Sequence, residues 1–281
     1  MQVFYVKLDR EYFETHIAEK DDQSLMKILT VGNNKGGSGK TTSCVNIAAA
    51  LALLHGKEVL VVDLDPQGQA ATALGCNPDP GAYYLLTMGL DKPSTNYICG
   101  HLQEARINLK LLPGDKQTAM AQAMINHPDA PKPISWIRDS LTYHFSGFDY
   151  IVMDTAPSLG GIQERAFWAA DLVLLPTPAE ALGADGLRQA LETLKRLHSE
   201  KDWRGQLLGI LPTFVTDRQR EHRLITDSFE QKFGSLLLSP IHRAAILAEC
   251  PAYGQTIFER QPHSRSADEY ARLADQIVKG S

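Results

Sequence analysis

Residues Lys35–Thr42, K-G-G-S-G-K-T-T, bring together the residue types that bind phosphate. Glycines 36, 37 and 39 (Gly36, Gly37, Gly39) allow a tight turn whose N–H groups point inward, a cradle for phosphate oxygens. The apolar stretch Ile28–Val31 ahead of it reads as a buried strand. A helix starting near Lys40 would turn its positive N-terminal end to the same anion. Lys40 could then reach the β- and γ-phosphates of a nucleotide and the Thr41 hydroxyl could ligate Mg²⁺, with Ser38 and Thr42 completing the loop. The usual pattern G-x-x-x-x-G-K-[ST] has a glycine where this chain has Asn34, and a second lysine, Lys35, stands at the front of the loop. A glycine-rich turn with incidental lysines is the bland alternative, and the strand before and helix after weigh against it.

Two acidic segments complement the loop. The run Val59-Leu-Val-Val-Asp-Leu-Asp-Pro-Gln-Gly-Gln69 ends an apolar stretch in two carboxylates, Asp63 and Asp65, which share one side of an extended chain. Asp63 is placed to hold a Mg²⁺ shell through water, and Asp65 to orient or activate an attacking water. A turn-forming Asp before Pro is the plainer reading of Asp65 alone. The run Phe148-Asp-Tyr-Ile-Val-Met-Asp154 ends in a third carboxylate, Asp154, again poised for the metal, although an Asp closing a buried strand is often only a cap.

In these segments the chain resembles the deviant Walker A family that includes the ParA and MinD ATPases. The loop K-G-G-S-G-K-T-T carries the resemblance first, and D-L-D-P-Q-G-Q at 63–69 is similar to the switch I segment of ParA proteins. T-A-P-S-L-G at 155–160 resembles switch II, and Leu247-Ala-Glu-Cys-Pro-Ala-Tyr-Gly254 matches the family's S-E-A-P-S-H-G run in part. The resemblance covers about residues 26–279. It implies ATP and Mg²⁺ as cofactors, an ATP-state homodimer in which Lys35 reaches the nucleotide of the other subunit, and weak intrinsic hydrolysis stimulated by a ParB-like or adaptor protein. It further implies nonspecific DNA binding and a cytoplasmic, nucleoid-associated protein.

These residues need a scaffold. Short apolar runs alternate with helical patterns from Met26 onward, which points to an α/β fold, a mostly parallel sheet with helices on both faces; the resemblance implies that it is a P-loop NTPase of the deviant Walker A type. Strands are expected at Ile28–Val31, Val59–Asp63, Ile107–Leu112, Tyr150–Asp154, Leu172–Leu175, Leu207–Phe214 and Leu236–Ser239. Helices are expected at Lys40–Leu54, Ile134–His144, Ile162–Ala170, Gly186–His198, Arg220–Phe233 and Ser266–Val278. Residues 76–106 and 126–133 read as connections bearing Pro and Asn. Residues 1–25 are charged and set apart as an N-terminal extension, and 26–281 as one ATPase domain. Loops after late strands often frame a nucleotide base, which points to Pro212 and Thr213.

With 281 residues and a formal charge of −5, the chain is not a wholesale basic nucleic-acid binder, so DNA contact requires a local patch. Basic and acidic residues mix between Lys195 and Arg243, and resemblance to ParA relatives carries DNA contact to Arg218, Arg220, Arg223 and Arg243. The cysteines at 44, 76, 99 and 250 have neither metal-ligand nor disulfide spacing. No apolar run reaches the roughly 18 residues of a membrane span. A MinD-like positioning ATPase acting on a membrane or on protein cargo is the alternative, but the C-terminal A-D-E-Y-A-R-L-A-D-Q-I-V-K-G-S reads as a core-packing helix. An iron–sulfur carrier ATPase would need cysteines near the switch segments, and 154–160 holds none.

Overall fold

The computed structural model describes residues 26–127, 131–157, 161–179, 184–216 and 233–280. The extension at 1–25 and, but for Phe233, the helix expected over Arg220–Phe233 lie outside the described residues. The strands are β1 (Lys27–Val31), β2 (Val59–Asp63), β3 (Gln103–Arg106), β4 (Leu109–Leu112), β5 (Tyr150–Asp154), β6 (Leu172–Pro178) and β7 (Gln206–Thr213). They form one sheet in the order β3-β4-β2-β5-β1-β6-β7, parallel throughout except for the β3–β4 hairpin at one edge. The helices are α1 (Lys40–His55), α2 (Gln69–Ala73), α3 (Gly81–Thr87), α4 (Lys92–Cys99), α5 (Thr118–Ile125), α6 (Trp136–Phe145), α7 (Ile162–Ala169), α8 (Ala184–Lys201), α9 (Ala245–Glu249), α10 (Ile257–Arg260) and α11 (Arg265–Lys279).

Successive strand residues point to opposite faces, and both faces are covered, so the strands are continuous runs of Val, Ile and Leu. Leu29, Val31, Val59, Val61 and Val152 pack beneath α1 and α11, while Ile28, Leu60, Val62, Ile151 and Met153 pack against α3, α5, α6 and α7. Val173, Leu175 and Ile210 meet α8 in a third cluster. The alanines of α1 are buried from Ala48 to Ala50, which brings its backbone close to the sheet. Gly56 at φ 62 ends α1: its N–H donates to Ala52 O at 3.1 Å, the bond of an αL closure, and that of Lys57 donates to Leu51 O at 3.1 Å. In α11 the expected face of Ala267, Tyr270, Leu273, Ala274 and Ile277 is buried. No helix among the described residues is long and apolar enough to cross a membrane.

Several expectations are corrected. The strand at Ile107–Leu112 is a hairpin: Asn108 turns at φ 58, Ile107 is 82% exposed at the tip, and only Leu109–Leu112 is the buried strand. Asn accepts that left-handed turn more readily than most residues. The segment 76–106 is no plain connection, since it holds α3, α4 and β3. Its Pro93 sits in the first turn of α4, where Asp91 caps by accepting the Ser94 N–H at 2.7 Å. No strand forms at Leu236–Ser239; a 3-10 turn at Gly234–Leu236 leads to a single bridge between Ile210 and Leu237, and Pro240 lacks the N–H that would extend it.

β6 carries Pro176 and Pro178 inside the sheet, normally forbidden to a ladder donor. It pairs with β1 only over Leu172–Leu174, where Leu174 O accepts from Gly32 N–H at 3.0 Å. Pro176 falls beyond the end of β1, and its carbonyl accepts from the Asn33 side chain at 2.7 Å instead. No ladder N–H is missed.

Candidate functional site

The site arises from register. In the sheet β5 lies between β2 and β1, and pairing sets Asp154 beside both Asp63 and Val31. Both carboxylates therefore stand at the carboxyl ends of adjacent parallel strands, where ligands of open α/β sheets bind. From Val31 the chain enters the loop that ends at Gly39, whose φ of 85 only glycine adopts freely, and α1 begins at Lys40.

Side chains from distant parts of the sequence hold this loop. Asn33, buried, donates to Pro176 O and accepts the Lys35 N–H at 3.0 Å. Thr213, also buried, donates its hydroxyl to Ser38 O at 2.9 Å. Gly32 lies against the Phe167 ring so closely that an added Cβ would come 2.3 Å from Cε1. None of Asn33, Phe167 or this role of Thr213 was singled out in the sequence.

The charged groups converge on the loop. Lys40 Nζ donates to Lys35 O at 3.1 Å; burial lowers its pKa, and Asp154 and then Asp65 oppose that shift. The Thr41 hydroxyl donates to Asp154 Oδ2 at 2.6 Å. Burial raises Asp154 to about 7, against the pull of the Thr41 hydrogen bond and Lys40. Burial, then the neighbouring Asp154, also pushes Asp63 well up. Two strongly buried carboxylates side by side are costly without a cation.

The arrangement fits Mg²⁺ and phosphate. Asp154 Oδ1 is buried with no hydrogen-bond partner among the described residues, as are Ser38 Oγ and both amide atoms of Asn34. Thr41 and Asp154 offer oxygens of the hard type that Mg²⁺ prefers. Asp63 is more committed: its Oδ1 accepts the Asp65 N–H at 3.0 Å and its Oδ2 the Ala70 N–H at 3.1 Å, so it also caps α2. Asp65 is half-buried and accepts the Gln67 N–H at 2.9 Å. Gly36 and Gly37 are exposed, and the half-buried Lys35 stands beside them.

A cavity of about 400 Å³ adjoins the helix end, lined by Gly39, Thr42, Thr213, Phe214, Arg243 and Leu247 among others. Thr213 lines this cavity, while Pro212 does not and accepts the Ile241 N–H at 2.8 Å within the fold. Phe214 was overlooked, although it takes φ 57, an uncommon conformation for an aromatic residue. The Arg243 guanidinium stands 5.4 Å from its ring, at the cavity wall. Arg218, Arg220 and Arg223 lie outside the described residues.

Known proteins resemble this chain in sequence and fold. The family model described as AAA domain matches residues 26–206. The chain is 34% identical over 255 residues to the chromosome-partitioning ATPase Soj of Thermus thermophilus, covering 89% of this chain and 94% of that protein. It is 30% identical over 256 residues to the chromosome partitioning protein ParA of Myxococcus xanthus, covering 90% of this chain and 88% of that one. Among solved structures, cobyrinic acid a,c-diamide synthase from Mycobacterium smegmatis, with bound ATP analog and magnesium, superposes with a TM-score of 0.73 at 29% identity, covering 90% of this chain and 95% of that one. On the extent of these matches, and with the loop and strand-end carboxylates in place, the chain belongs to the ParA family of P-loop ATPases.

Proposed function

We propose that this protein is a DNA-partition ATPase, switched by ATP between a monomer and a dimer. The observation that carries the reading is the cluster at the loop: Lys40 tied to the Lys35 carbonyl, Thr41 tied to Asp154, and Asp154 Oδ1 left open. Gly36, Gly37, Ser38, Gly39 and Thr42 cradle the phosphates of ATP, with Lys40 on the β- and γ-phosphates. Thr41 and Asp154 hold Mg²⁺, with Asp63 acting through water. Bound magnesium supplies positive charge that offsets the phosphates. Asp65 orients the attacking water, and Lys35 serves the nucleotide of the second subunit, adding a cation only when two protomers face one another.

In the ATP state the dimer binds DNA without sequence preference through Arg218, Arg220 and Arg223. Arg243, 5.4 Å from the ring of Phe214, joins them. A ParB-like or adaptor protein bound to the cargo then stimulates an otherwise slow hydrolysis and releases the dimer. Such a protein works in the cytoplasm at the nucleoid. A membrane role finds less support, because the apolar face of α11 is already spent on the core. DNA binding measured with ATP, ADP and no nucleotide over a salt series tests the reading. Binding that needs ATP and weakens steeply with salt is expected; binding to anionic liposomes in place of DNA would overturn it.

A further inference from the structure

A second polar cluster, half-buried, holds groups that the chemistry above does not use. Arg106, at the end of β3, sends Nε and Nη2 to the two carboxylate oxygens of Glu259 at 2.6 and 2.9 Å. Its Nη1 donates to Leu74 O at 2.9 Å and its Nη2 to Gly254 O at 2.7 Å. A planar fork binding a carboxylate in two places and two carbonyls besides fixes geometry as well as charge.

Each partner leads to the nucleotide site. Leu74 ends α2, whose Ala70 N–H donates to Asp63 Oδ2 at 3.1 Å. Glu259 closes a capping box on Thr256, and the next residue, Ile257, donates its N–H to Asn46 of α1 at 2.9 Å. Gly75 (φ 70) and Gly254 (φ 60) touch backbone to backbone: a Cβ on Gly254 would lie 2.5 Å from Gly75 Cα. The contacts therefore form a chain from α1 through α10, Glu259, Arg106 and α2 to Asp63. Beside it lies a cleft of about 350 Å³ whose walls include Thr41, Thr42, Asn46, Gln69 and Gln255.

Helix α2 spans Gln69–Ala73 and has no side-chain cap at Gly68. So short a helix does not hold its own position in water. Ala70, Ala71 and Ala73 bury one side of it in the core, and its polar anchors are Asp63 at one end and Arg106 at the other. We propose that Arg106 is a positioning residue for the ATPase reaction: it fixes α2 against α1, and so sets where Asp63 and Asp65 meet the metal-bound nucleotide. The assignment of those carboxylates rests on the function proposed above.

The test compares Arg106→Gln, Arg106→Lys and Glu259→Gln with the wild type in the full chain. Two quantities are read: affinity for a fluorescent ADP with and without Mg²⁺, and amide hydrogen exchange of residues 69–75 without nucleotide. Arg106→Gln is expected to leave metal-free ADP affinity within about twofold while weakening the Mg²⁺-dependent part about tenfold, as losses of supporting contacts behind metal ligands do. Exchange at 69–75 should quicken while the core of α1 is unchanged. Arg106→Lys, a point charge without the fork, should restore only part, and Glu259→Gln should match Arg106→Gln in direction and stands in for it if that variant does not fold. A lower melting temperature with unchanged exchange and unchanged Mg²⁺ dependence would reduce Arg106 to a stabilising contact and overturn the proposal. A wild type that binds no ADP at all would sink the nucleotide reading, and the exchange result would still decide whether Arg106 holds α2.

Discussion

The Thr41 hydroxyl donates to Asp154 Oδ2 at 2.6 Å, tying the first turn of α1 to the end of β5. With Asp154 Oδ1 unpartnered beside it among the described residues, this pair is the proposed seat of the metal, and its carboxylate makes the site sensitive to pH.

Burial raises Asp154 to about 7 in the nucleotide-free chain. The unfolded chain releases that proton near pH 4, so between about pH 4 and 7 the folded state binds more protons than the unfolded one. The contribution of Asp154 to stability is therefore full below that window, declines as pH rises through it, and is lost above it. Thermal melts of the nucleotide-free protein should show this decline. Asp154→Asn should flatten it, and an unchanged slope in that variant would count against the raised pKa.

Replacing Lys40 with Ala should abolish ATP binding, because its amine is anchored inside the loop, 3.1 Å from Lys35 O. Lys35→Ala should leave monomer binding intact within about threefold and yet remove ATP-dependent dimerisation, on the proposed role of its cation across subunits. Equilibrium titration with a fluorescent nucleotide, paired with sedimentation, separates the two effects.

Asp65→Ala should lower turnover by about 100-fold or more while ATP still binds, leaving a trapped dimer. Steady-state phosphate release decides it, and normal turnover in this variant would remove Asp65 from the chemistry.

Thr213→Val keeps the shape of the side chain but leaves the buried Ser38 carbonyl without its 2.9 Å donor. A loss of about 1–3 kcal/mol in stability is expected from the unpaired acceptor, with weaker nucleotide binding. Chemical denaturation measures the first quantity. Pro212→Ala should leave nucleotide affinity unchanged, because Pro212 does not line the cavity.

Each arginine removed from Arg218, Arg220 and Arg223 should lower the salt slope of DNA binding by about one if it meets a phosphate. Arg243→Ala should change nucleotide affinity as well, given its place against Phe214 at the cavity wall. Binding isotherms at several salt concentrations distinguish these cases.

The parts legible in the sequence were local. The loop glycines and lysines, and the carboxylates ending β2 and β5, lie in short contiguous segments whose residue types state their chemistry. Buried parallel strands show as unbroken Val, Ile and Leu, so the sheet could be read as well. What escaped depends on contacts between distant residues. Asn33 meets Pro176 across 143 positions, Thr213 meets Ser38 across 175, and Arg106 reaches Glu259 across 153. No local pattern marks such pairs. The helices between 76 and 106 were hidden by their shortness and by Pro93, which starts α4 where a proline more often suggests a loop.

Self-association under nucleotide control is the central claim, and sedimentation of the full chain with Mg²⁺ and a non-hydrolysable ATP analogue tests it most directly. The wild type should sediment as a dimer with the analogue and as a monomer with ADP, and Lys35→Ala should stay monomeric in both. A wild type that remains a monomer when saturated with the analogue and magnesium would contradict the account.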